Sequence, residues 1–212
     1  MKKKTVSYFS IVLLFIVLGV SFTTPASAQI FRRNVAELLR DANRVFSGKC
    51  TSVRTELDTT LNKPVTIATF SVTKKIKGEM GDTVVIRQFG GKVKGGFPLM
   101  LSGMPSYKVG EEVILFLHGE SRYGLSSPVG LLQGKFLVTK DKKTGRKVAI
   151  NGLKNANLFE RLRTEDFSLL RVFSTKELDL LKVKEGPVEY DIFVSFLNRT
   201  FANLSKISIE DK

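Results

Sequence analysis

One histidine, one cysteine and the carboxylate pairs Glu111-Glu112 and Glu165-Asp166 are the residues of this 212-residue chain that chemistry would use first. A Cys/His zinc site needs more such ligands than one chain holds, and a lone cysteine closes no disulfide within the chain. His118 ends an apolar run and is followed by Gly119, the pattern of a structural strand end near solvent. Cys50 lies between Lys49 and Thr51 in a strand-like stretch. Neighbours in a strand point to opposite faces, so Lys49 is not placed to activate the thiol, and Cys50 reads as a small buried hydrophobe. Glu111-Glu112 and Glu165-Asp166 follow turn-like or helix-start residues, where solvation and the helix dipole favour acids without any catalytic role. No serine sits in a Gly-x-Ser-x-Gly elbow, and the glycines at 90, 91, 95 and 96 lack the Gly-Lys-Ser/Thr ending of a phosphate loop. No catalytic, metal or cofactor-binding residue is assigned on these grounds, and no cofactor is expected.

The charge balance is the second chemical feature. Lys and Arg outnumber Asp and Glu by 34 to 20, a formal charge of +14. Lys74, Lys75 and Lys77 form one cluster. Lys140, Lys142, Lys143, Arg146 and Lys147 form another at an expected hairpin tip, where they are solvated or could hold an anion. In a cytosolic protein this excess would suggest nucleic acid. The N-terminus argues for a different compartment. Lys2, Lys3 and Lys4 precede an apolar run strongest over Ile11–Val20, then Pro25 and Ala26-Ser27-Ala28. That is the basic, apolar and small-residue order of a secretory leader, with cleavage expected between Ala28 and Gln29. The expected location is therefore periplasmic or extracellular. No nucleic acid partner is expected there, and the anions at hand are envelope polymers, lipid headgroups and acidic proteins.

The elements that would position these residues follow from periodicity. Val35, Leu38, Leu39 and Ala42 form a helical stripe, with Asn34 and Glu37 spaced as a capping box. Strands are expected over 44–57, 65–75, 83–89 and 112–118, a short one over 122–126, and a hairpin over 135–150 around a turn at 141–145. Glycine and proline make 90–105 a loose segment. Helix returns from about Asn155, with a second capping box at Ser174 and Glu177. Gly186-Pro187 introduces a final helix, with Pro187 at its first position. Its apolar face carries Val188, Ile192, Phe193, Phe196, Leu197, Phe201 and Leu204, and its polar face carries acids, which suits packing better than a membrane surface. The Asn198 and Asn203 glycosylation tripeptides receive no role.

Several segments in this order carry a resemblance: 41–48 (DANRVFSG), 70–78 (FSVTKKIKG), 81–87 (GDTVVIR), 109–117 (VGEEVILFL) and 130–136 (GLLQGKF). The pattern resembles a group of exported bacterial proteins of unassigned function. More distantly it is similar to the OB-fold barrel of tissue inhibitors of metalloproteinases and netrin-type domains. The resemblance covers roughly 41–140. It implies a barrel that presents loops. The inhibitors' zinc-blocking N-terminal cysteine has no counterpart, because the expected mature start is Gln29 and Cys50 lies inside a strand.

The sequence thus leads to a mainly β chain. A leader covers 1–28. A small closed OB-like barrel of about five or six strands, with its leading helix, occupies 29–154. A helical extension packed on it occupies 155–212. The expected function is that of an exported, non-enzymatic module binding another exported or envelope protein through a barrel face, through loops such as 89–107, or through the basic hairpin at 140–147. The alternatives are an anionic polymer or lipid held by the basic surface, and a hydrolase of unrecognised type.

Overall fold

The computed structural model describes residues 31–160, 162 and 172–210, with side chains as far as Asn203. The expected leader, with the cleavage expected between Ala28 and Gln29, lies outside the described residues. So do Glu165, Asp166 and the side chain of Leu204.

Helix α1 (Val35–Asp41) forms as its capping box dictates: the Asn34 side chain accepts from the Glu37 amide, and Glu37 accepts from the Asn34 amide. The chain then builds β1 (Arg44–Asp58), β2 (Lys63–Lys77), β3 (Thr83–Phe89), β4 (Glu112–Leu117), β5 (Lys135–Lys140) and β6 (Lys147–Asn151). Helix α2 (Thr175–Leu180), the two-residue strand β7 (Val188–Glu189) and helix α3 (Tyr190–Glu210) follow. All pairings are antiparallel, in one sheet ordered β3-β2-β1-β4-β5-β6-β7.

Strand β4 is buried on both sides, and its alternate residues feed two cores. Ile114 and Phe116 face the helices, with Leu38, Leu39, Phe136, Phe193, Phe196 and Leu197. Val113, Leu115 and Leu117 join the second core, with Phe46, Phe70, Ile86 and Tyr107. Each fully buried Phe or Leu contributes about 1.5–3 kcal/mol relative to exposure. Polar side chains tie the helices to the sheet. The Lys77 ammonium donates to the carbonyls of Leu39 and Arg40 at the end of α1, at 2.7 and 3.2 Å, where a helix leaves carbonyls unpaired. Tyr190 at the start of α3 donates to the buried Ser47 hydroxyl of β1 at 2.9 Å. Glu177, 2% exposed, holds Ser174, Ser195 and Arg199 together.

Four expectations are corrected. The sheet is open, so the closed barrel is not formed. The short strand expected over 122–126, which would have helped close it, is a turn in which the Ser121 amide donates to Leu125 and Gly124 adopts a left-handed φ of +65°. The Ser126 amide donates to the Arg87 carbonyl of β3 at 2.8 Å. The helix expected from Asn155 is a series of tight turns through Glu160, because Lys154, Asn155 and Asn157 all take positive φ. The buried Asn155 side chain makes this possible by donating to the Ala149 and Gly186 carbonyls. Pro187 does not open α3. The next two residues pair with β6, satisfying its outer edge, and helix begins only at Tyr190.

Candidate functional site

The candidate surface begins with an irregularity in β1. Its register on β2 shifts between Cys50 and Ser52. A bulge of this kind inserts one residue and reverses the alternation of faces. Phe46 and Cys50 are buried before it, Thr51 and Ser52 are both exposed, and Val53 and Thr55 turn partly inward after it. Those two join Thr66 of β2 and Gln88 of β3 as the floor of a groove of about 250 Å³. Its wall is the β3–β4 connection, through Leu99, Met100, Leu101, Met104 and Tyr107.

The connection is pinned at both ends. Gly91 and Leu99 exchange two backbone hydrogen bonds, at 2.8 and 2.9 Å, and Thr66 donates to the Gly90 carbonyl at 2.7 Å. Gly91 is required there. Its φ is +132°, and a Cβ would lie 2.5 Å from the Thr66 hydroxyl and 2.6 Å from the Thr55 methyl. At the other end the buried Tyr107 hydroxyl donates to Gln88, whose amide donates to the Pro105 carbonyl. The Tyr107 ring stands edge-on to Phe70 at 5.4 Å. Burial, and then the Glu111 carboxylate, push its hydroxyl above the ordinary tyrosine range, so it stays a neutral donor. Lys135 donates to Glu111 at 2.6 Å and lies over the Tyr107 ring. Between these anchors the loop exposes its apolar side chains: Phe97 is 96% and Met100 85% exposed.

The residues singled out from sequence are distributed elsewhere. Cys50 is buried, and its thiol is pushed up first by burial and then by Glu111, which keeps it protonated. His118 is exposed at the end of β4, tied down through its main chain to Ser126 and Ser127, and does not line the groove. Glu112 is paired with Lys147 at 2.5 Å. Of the basic hairpin, Arg146 pairs with Glu189 at 2.9 Å and Lys147 with Glu112. Lys140, Lys142 and Lys143 are exposed and form no ion pair among the described residues. The hairpin turn is set by Asp141, which accepts from Lys143 and Thr144 and is held below the usual carboxylate range first by the Thr144 amide. Of the other cluster, Lys75 pairs with Asp82 and Lys77 caps α1. Asn198 bonds the Val194 carbonyl, and Asn203 is buried.

The sequence marks 89–107 as a loop set, and the structure adds which of its residues line the groove. The available signal was Phe97-Pro98-Leu99-Met100-Leu101, an apolar run between glycines with no strand partner expected for it. Among the described residues, no group of three or more His, Cys, Asp or Glu could hold a metal ion, and no helix is long and apolar enough to cross a membrane. Compared with known proteins, the chain matches no family model and no curated sequence.

Proposed function

We propose that this chain is an exported, non-enzymatic binding module that docks another exported or envelope protein through its 90–107 loop. The observation that carries the reading is the exposure of Met100 in the groove lining and of Phe97 three residues before it in the same loop. Burying each would yield about 1.5–3 kcal/mol, and clustered apolar side chains left in water mark interaction surfaces. The groove supports a protein partner over a small molecule. At about 250 Å³ it falls below the roughly 300–1,000 Å³ of small-ligand sites and suits one or two inserted side chains. The anchors at Gly91–Leu99 and Gln88–Tyr107 hold the loop in place before binding, which lowers the ordering cost. The resemblance to loop-presenting inhibitor and netrin-type domains is in keeping with this reading.

Cross-linking the protein in an envelope extract of its source cells tests the docking surface. The Phe97→Ser/Met100→Ser variant should lose the cross-linked partner with its melting temperature unchanged, since substitutions at such exposed positions usually stay within about 0.5 kcal/mol. A second reading, an anionic polymer or lipid held by Lys140, Lys142 and Lys143, rests on their lack of acidic partners. It replaces the first if capture survives the loop variant and is lost in Lys142→Glu/Lys143→Glu. Export itself is read from the N-terminus: mass analysis of the released product should find Gln29 first, and a product retaining Lys2–Lys4 would refute it.

A further inference from the structure

We infer that the segment the groove takes is acidic: an extended stretch of a partner protein that inserts one or two apolar side chains between Met100 and Tyr107 and sets carboxylates against the rim. This rests on the 90–107 loop being the docking element, and goes further by naming the chemistry of what docks.

The argument is one of unspent charge. No Asp or Glu occurs between Asp82 and Glu111, a stretch that carries Arg87, Lys92, Lys94 and Lys108. The acids nearest the groove are each occupied. Asp58 pairs with Arg87 at 2.6 Å, Glu111 with Lys135 at 2.6 Å, and Glu56 with Arg54 at 3.3 Å. What remains is cationic. Lys92 adjoins Gly91 in the groove lining, Lys108 adjoins Tyr107, and Lys94 follows in the loop. Lys63 precedes Pro64, whose carbonyl accepts from Gly90 at the loop root. All four are exposed, and none forms an ion pair among the described residues. The floor offers little polar recognition of its own. Thr55 and Thr66 bond each other, and Gln88 is taken up by Tyr107 and Pro105. Selectivity therefore falls to two things, shape for an apolar anchor and the exposed, unpaired lysines that flank the lining residues in the chain. Charges of this kind govern partner choice and association rate. A concave seat between strands and loop favours a peptide segment over a flat bilayer.

Panning a random dodecapeptide display library on the protein tests this. The expected binders carry an apolar anchor flanked by Asp or Glu. Their affinity should fall roughly tenfold between about 0.05 and 0.5 M salt, fall at least as much in Lys92→Glu/Lys94→Glu, and vanish in Met100→Glu. Peptides that need Met100 but show no acidic enrichment and no response to Lys92→Glu/Lys94→Glu overturn the inference and leave the docking surface standing. Peptides indifferent to Met100→Glu overturn both. If no peptide is recovered the inference also fails. Sedimentation with phosphatidylglycerol/phosphatidylcholine vesicles, lost in Phe97→Ser/Met100→Ser, would then assign the same loop to a membrane surface.

Discussion

Phe193→Ala is expected to destabilise the protein by about 3–5 kcal/mol, the usual cost of truncating a buried Phe. Phe193 is fully buried on α3, its ring 5.1 Å from that of Phe136 in β5 and 6.2 Å from that of Phe159. Aromatic neighbours on two sides collapse poorly into the space left by a methyl, so the cavity persists. Against a total of roughly 5–15 kcal/mol, the variant should melt early or be degraded. Phe201, one of the residues that shares its line along the helix, is only half-buried, so the same truncation there costs less, about 1–2 kcal/mol. Thermal melts of the two variants check the difference. Unchanged melting of Phe193→Ala would mean that α3 is not held by this core.

The second large loss is expected from Gly134→Ala, about 3 kcal/mol or more. Gly134 has an ordinary φ of −87°, so its backbone conformation is open to any residue. The obstacle is space. A Cβ there would lie 2.3 Å from the Val129 carbonyl oxygen and 2.8 Å from the Val129 nitrogen. Both are main-chain atoms, and neither can swing aside as a side chain would. Val129 is fixed to Phe116 by its own hydrogen bond at 2.8 Å, and Phe116 donates to the Gly134 carbonyl at 2.9 Å. Relief of the clash therefore breaks the joint where β4 meets the start of β5. Gly81→Ala is the control, with no atom closer than 3.8 Å, and should be nearly neutral. Chemical denaturation of both variants tests the contrast. Equal stability would show that the joint yields more easily than its geometry implies.

Local pattern was readable where local forces decide. The alternation and β-branched content at 83–89 and the apolar run at 112–117 mark β3 and β4 within a residue. Asn34/Glu37 and Ser174/Glu177 mark two helix starts, because a capping box is satisfied within four residues. Features that depend on distant partners were hidden. The bulge after Cys50 flips Val53 and Thr55 toward the groove, yet nothing in that stretch of sequence announces it. Val188 and Glu189 become strand because the edge of β6 is there to receive them. Arg146 and Lys147 looked like part of a free cationic patch. Register brings Glu189 and Glu112 to them, and register is a property of the sheet. The groove belongs to the same class, since its floor comes from three strands and its wall from a loop.

The order of the ladders has one more consequence. Every strand pairs with its neighbour in the chain except at β1–β4, so the sheet is two meanders spliced along a single seam. Residues 90–111 connect them, anchored at Gly91–Leu99 and at Tyr107, and the seam runs from Arg44 opposite Leu117 to Lys49 opposite Glu112. Lengthening the connecting stretch is cheap: a flexible connection of twice the length costs only about 0.6 kcal/mol more to close. The tip at Gly95 has no atom within 4 Å of where a Cβ would stand, so added residues would meet nothing. The fold thus separates inheritance from innovation. Its two halves can stay constant while the stretch carrying Phe97 and Met100 is exchanged, making this architecture a natural recipient for grafted recognition loops.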